Sequence, residues 1–174
     1  MTSNTINRRR LELIDTSVLL EILGTQFESD RAESVKSEWD AKAARNTIFR
    51  IPMATVMETG SHIRKMAVTD DGAELRKKCA ERFVKFLRMG LSNEKPWSFE
   101  KLDWNQEFIE SIVDGTQHGY TLERSIGDGV FEIGDLAIVS EWQRIRHNVS
   151  SRLWDVDVWT LDATLRGVID GLRG

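Results

Sequence analysis

Short runs of strand-forming residues, each followed by a longer helix-like stretch, recur along this chain and constrain its fold more than any other feature. "RLELID", "NTIFRIP", "PWSFEKLDW" and "LWDVDVWTLD" are rich in aliphatic and aromatic residues and short enough to be strands. "TSVLLEILG" reads as a helix closed by Gly24, and "DRAESVKSEWDAKAAR" as one with apolar positions at Ala32, Val35 and Trp39. "MATVMETGSHIRKMAV" follows Pro52, which suits a first helical turn, and carries Met53, Val56, Ile63 and Met66 as its expected core stripe. "DDGAELRKKCAERFVKFLRMG" has an acidic start, a basic body and Gly90 at its end. Helices are also expected over "NQEFIESIVDGTQHG", "ATLRGVIDGL" and "DLAIVSEWQRIRH", the last with an apolar face of Leu136, Val139, Trp142 and Ile145. "YTLERSIGDGVFEIG" is glycine-punctuated and has no clear period. Strands alternating with helices predict an α/β fold around a mostly parallel sheet.

Composition narrows the classes of partner. With 174 residues, 40% hydrophobic and 30% charged, the chain fits one globular domain over residues 11–174, preceded by a basic arm over residues 1–10. A formal net charge of -4 gives no global attraction to nucleic acid, so such contact needs a local basic patch. Candidates are Arg45, Arg50, Arg64, Lys65, Arg146 and Arg152, together with Arg8, Arg9 and Arg10 in the arm. Cys79 has no second cysteine to pair with, which favours a reducing, cytoplasmic compartment, and it reads as a small core residue. Glu12, Asp15 and Glu21 break the first apolar run, so neither a signal segment nor a membrane span is expected.

The acids at the seams carry the chemistry. Asp15 ends an apolar strand and is followed by Thr16 and Ser17; Asp162 follows Thr160 at the end of the last strand. Glu58 lies about two turns into the helix after the second strand, and Asp135 opens a later helix. Ligands gather outside the carboxyl ends of parallel strands, where these residues would meet. Crowded carboxylates repel, and a hard divalent cation, Mg²⁺ or Mn²⁺, resolves the conflict. Each acid also has a plainer reading. Asp15, Asp135 and Asp162 could be helix caps, and Glu58 could simply face solvent.

"LIDTSVLLEIL", "IPMATVMETG", "GDLAIVSEW" and "VWTLD" resemble, in order, the four acidic motifs of PIN-domain nucleases, nearest to the compact VapC-type toxin ribonucleases. The resemblance implies a three-layer α/β/α sandwich and assigns Asp15, Glu58, Asp135 and Asp162 as the catalytic acids. Asp15, Asp135 and Asp162 would be the metal ligands, and Thr16, Ser17 and Thr160 small hydroxyl residues lining the site. It further implies an RNA substrate, an antitoxin partner and a homodimer. Asp128 and Glu132 compete for the third acidic position, and Asp157 for the fourth, although Asp157 falls within its strand and reads as an outward residue. Arg64 is the basic residue expected to hold RNA, and Trp159, beside the last motif, a candidate platform for a base.

Other chemistries fit less well. His62, His118 and His147 lack zinc-ligand spacing; His62 could approach Glu58 but reads as structural, and the other two as loop and helix-end residues. Ser17 stands where an aspartate-based phosphatase of the haloacid dehalogenase type would want a second aspartate. No glycine-rich turn follows the first strand, which argues against dinucleotide binding. A nuclease used in RNA processing or defence, or a non-catalytic module of the same fold, stays open.

Overall fold

The computed structural model describes residues 8–25, 30–66, 70–92, 97–99, 104–116 and 118–173. Along the chain the elements are β1 (Arg9–Ile14), α1 (Thr16–Leu23), α2 (Asp30–Ala44), β2 (Ile48–Ile51), α3 (Met53–Lys65), α4 (Asp70–Leu91) and β3 (Trp97–Phe99). They continue with α5 (Gln106–Asp114), α6 (Leu122–Gly127), α7 (Ile133–Asn148), β4 (Trp154–Trp159) and α8 (Ala163–Gly171). All pairings are parallel, in the order β3-β2-β1-β4. The sheet is the middle of a three-layer α/β/α sandwich, as expected from the sequence.

Strand alternation sorts the core into two halves. Leu11 and Leu13 of β1, with Val156 and Val158 of β4, meet Phe108 and Ile112 of α5, the apolar residues of α7, and Leu165 and Ile169 of α8. On the opposite face Ile14, Phe49, Ile51 and Trp159 pack against Val18, Leu19 and Leu23 of α1, Val35 of α2, and Cys79, Phe83 and Phe86 of α4. Each such aliphatic or aromatic side chain taken from water contributes about 1.5–3 kcal/mol. The Trp142 indole N–H donates to the Val156 carbonyl at 3.0 Å, tying α7 to β4.

Several expectations change. The basic arm ends two residues early, because Arg9 and Arg10 already belong to β1. In α3 the buried residues are Ala54, Thr55, Thr59 and Ile63, with Val56 and Met66 only partly covered. Met53 is half-exposed, since that face of the first turn looks away from both cores. The glycine-punctuated segment forms α6, capped by Thr121, whose hydroxyl accepts from the Arg124 N–H. Residues 67–68, Pro96 and residues 100–103, which belong to stretches read from the sequence, lie outside the described residues. His118 lies in a turn, as expected, but not on the surface. It is buried, its Nδ1 accepting from the Tyr120 N–H at 3.2 Å while Nε2 lies 3.2 Å from the Ser140 hydroxyl, and burial lowers its pKa. No helix among the described residues is long and apolar enough to cross a membrane.

Candidate active site

The parallel register builds the site. Ile14 pairs with Trp159, so the residues that follow, Asp15 and Thr160, emerge side by side from the carboxyl end of the sheet. The Thr160 hydroxyl donates to Asp15 Oδ2 at 2.7 Å, and the Ser17 hydroxyl donates to the same oxygen at 2.5 Å. Ser17 Oγ in turn accepts from the Leu161 N–H at 2.9 Å, and Thr160 Oγ1 from the Asp162 N–H at 2.9 Å. Thus Thr160 and Ser17 are fixed through their acceptor lone pairs and left with their hydrogens for Asp15. The carboxylate also caps α1, accepting from the Ser17 N–H at 3.3 Å. All of these bonds fall on Oδ2, and Oδ1 carries none among the described residues.

Glu58 reaches the same place from α3. That helix is fastened to the end of β1 by the Thr55 hydroxyl, which donates to the Ile14 carbonyl at 2.8 Å. One turn further on, Glu58 Oε2 accepts from the Thr16 hydroxyl at 2.8 Å. Its other oxygen lies against Gly134, where an added Cβ would stand 1.5 Å from Oε1. Glycine is therefore required at position 134 for this carboxylate to meet the start of α7. Burial pushes the Glu58 carboxyl up, as do the charges of Asp15 and Glu132, while the Thr16 hydrogen bond and the exposed His62 oppose it.

Asp135 is not the residue that opens α7. The helix begins at Ile133 with Glu132 as N-cap, which leaves Asp135 at the third helical position, its Oδ2 accepting from the Glu132 N–H at 3.1 Å. Burial pushes its carboxyl up to about 6, against the pull of that N–H, and the charges of Asp15, Glu58 and Asp162 add to the rise. Three acids distant in sequence thus act on the fourth. Asp162 is exposed and caps α8, its Oδ1 accepting from the Thr164 and Leu165 N–H groups at 2.6 and 2.9 Å.

Two of the competing acids lie elsewhere. Asp128 pairs with Arg124 across one exposed helical turn. Asp157 is not a solvated strand residue; it binds Arg166 at 3.0 Å and Arg173 at 2.5 Å. Glu132 is at the rim, close enough for its charge to reach Glu58. Trp159 is buried against Trp39 and Phe49 and offers no platform for a base. Among the basic candidates, Arg50 donates to the Phe99 carbonyl and Arg146 to the Leu172 carbonyl. Arg64 is exposed, but 3.6 residues per turn puts it about 120° around α3 from Glu58. Exposed Lys65, two turns beyond Glu58, shares its stripe. Gly134 is the part of the site that motif reading passed over, and His62, read from the sequence as structural, is exposed with its charge reaching Glu58.

The donor set of carboxylate and hydroxyl oxygens suits a hard divalent cation. Among the described residues, however, no three acidic, histidine or cysteine side chains stand together in a ligating group. The reason is visible in the hydrogen bonds, since each acid is turned onto a hydroxyl or a helix N–H. Mg²⁺ commonly takes one or two carboxylates and keeps several waters, a demand that Asp15 and Asp135 can meet. A scan against protein-family models matched none of them, and a search among curated proteins found no significant match.

Proposed function

We propose that this chain is a divalent-metal-dependent endoribonuclease, with Asp15, Glu58, Asp135 and Asp162 as its catalytic acids. The observation that carries this reading is Asp135, half-buried among three other carboxylates and raised to about 6. No lysine or arginine among the described residues forms an ion pair with any of the four. A fold keeps such uncompensated charge at a cost, and sites of this kind concentrate where chemistry is done.

Asp15 Oδ1 and Asp135 would hold a Mg²⁺ or Mn²⁺ ion, with Asp162, whose charge reaches Asp135, beside them. When bound, such an ion acidifies a water and offsets the charge of a scissile phosphodiester. Ser17 and Thr160 keep the Asp15 carboxylate in one orientation. Thr16 does the same for Glu58, which is placed to ligate or to orient a water. Met57 and Ile133, 62% and 57% exposed, flank Glu58 and Gly134. Such an apolar rim supports a covering partner segment, as in the toxin of a toxin–antitoxin pair acting in the cytoplasm, and pairing of two copies is part of the same reading.

Labelled single-stranded RNA and DNA pools, incubated with Mg²⁺, Mn²⁺ or chelator, test the proposal. Metal-dependent cutting of RNA is expected from the wild type, with a drop of about 10²–10³-fold in Asp15→Asn. Expression is expected to arrest growth, and Asp15→Asn to relieve the arrest. A second reading, a non-catalytic binding module, draws on the caps, because Asp15 and Asp162 also serve their helices. Inert pools together with a melting temperature unmoved by Mn²⁺ would establish it in place of the nuclease.

A further inference from the structure

We propose that the opposite, amino-terminal end of the sheet carries a second binding site, for a phosphate group. The site is independent of the acidic mouth. β1 begins at Arg9, which pairs with Trp154, whereas the acids follow Ile14 and Trp159, roughly 17 Å further along the strands.

A cavity of about 220 Å³ opens there, lined by Arg8, Arg146, Arg173, Ser151, Trp154 and Asp155 among others. Three arginines thus line one space in a chain whose net charge is -4. Two of them are held in place by the protein. Arg146 Nη1 donates to the Leu172 carbonyl at 3.2 Å and its guanidinium lies 4.7 Å over the Trp142 ring; Arg173 Nη2 donates to Asp157 Oδ1 at 2.5 Å. A guanidinium has five N–H donors, so each of these anchors leaves donors for a ligand. Arg8 is exposed and pairs with no carboxylate among the described residues. The single acid in the lining, Asp155, is engaged by Arg10, Nε to Oδ2 at 3.8 Å.

Pre-oriented guanidinium forks match the oxygens of a phosphate, and the Ser151 hydroxyl adds a neutral donor. Arg9 lies 5.3 Å over the Trp154 ring, which adds a further cation at the rim. The phosphate could belong to a free phosphomonoester or to the backbone of a nucleic acid, and the chemistry of recognition is shared.

The full chain titrated with inorganic phosphate, AMP and adenylyl-adenosine lacking a terminal phosphate separates these sources. Backbone amide shifts of Ser151 and Trp154, with calorimetry, give the readout at constant ionic strength. At least one probe is expected to saturate, with affinity falling tenfold or more in Arg8→Glu and in Ser151→Asp, both exposed positions where no fold contact is lost. Response to phosphate or AMP alone assigns a phosphomonoester, and response to adenylyl-adenosine assigns a nucleic-acid backbone. Absence of saturation by all three probes up to about 10 mM, or binding that persists in both variants, overturns the proposal.

Discussion

Acids on the body of the sheet and acids at its carboxyl end are treated differently by this fold. Glu12, in the middle of β1, is buried, yet Lys42 reaches it from α2 at 2.6 Å and is itself steadied by Glu38 at 3.2 Å. Asp157, opposite Glu12 in β4, has Arg166 and Arg173. At the mouth, Asp15, Glu58, Asp135 and Asp162 have hydroxyls and backbone N–H groups in place of cations. Hydroxyl donors orient a carboxylate without neutralising it. The difference teaches that the chain can supply counter-charges where an acid is structural, and leaves them out where the acids stand together.

The largest effect should come from breaking the paired side. Lys42→Met strands the Glu12 carboxylate in the core and removes a cation 5.1 Å from the Trp159 ring, at a cost of about 3–5 kcal/mol in urea unfolding. Adding Glu12→Leu is expected to restore most of that loss, because an apolar pair needs no compensation. If the single variant is as stable as the wild type, the contrast between the two regions fails.

Gly134→Ala attacks the mouth by volume. Its Cβ would overlap the Glu58 carboxylate, the far end of a flexible, half-buried side chain, so the carboxylate must swing aside, with a loss of about 1 kcal/mol or less and reduced cleavage. In a Glu58→Ala background the same change should be nearly neutral, which a double-mutant cycle would read directly.

Asp135→Asn should have the opposite sign. The native carboxyl titrates at about 6 and the unfolded one near 3.8, so between those values the native state holds a proton that the unfolded chain has lost. Stability therefore falls as pH rises through that window, and the penalty is full above about pH 6. The amide oxygen of Asn can still accept from the Glu132 N–H. At pH 7 the variant is expected to be more stable by roughly 1–2 kcal/mol, after discounting for partial exposure, and to lose that gain at the acid end of the window. Unfolding curves at pH 7 and at pH about 4 would show it. A variant less stable than wild type at pH 7 would mean that Asp135 is structural. The smallest effect concerns substrate: Lys65→Glu, on the Glu58 stripe, should weaken RNA binding at low salt by about threefold more than Arg64→Glu.

Much of the candidate site was legible because single residues can serve two purposes. An aspartate after an apolar strand and before Thr16-Ser17 caps α1 and also stands at the end of the sheet, so the alternatives of cap and site turned out compatible. Asp162 repeats the pattern at α8. The helix start at Asp135 was misplaced by two residues, because the Glu132-Asp135 spacing of a capping pair is easily taken for a loop followed by a cap. Contacts such as Glu58 with Gly134, or Asp157 with its two arginines, join residues whose local sequences say nothing of one another.

By itself, the sequence determined the alternation of strands and helices, most helix ends and the position of the first acid in its seam. These follow from local periodicity and capping, which act over a few residues. Only the tertiary structure decided that Trp159 is core, that Arg146 belongs to the end of the sheet remote from the acids, and which acids have cations. Charge pairing and burial depend on strand register and on where each helix crosses the sheet. Those are set by the packing of the whole core and by no single stretch of chain.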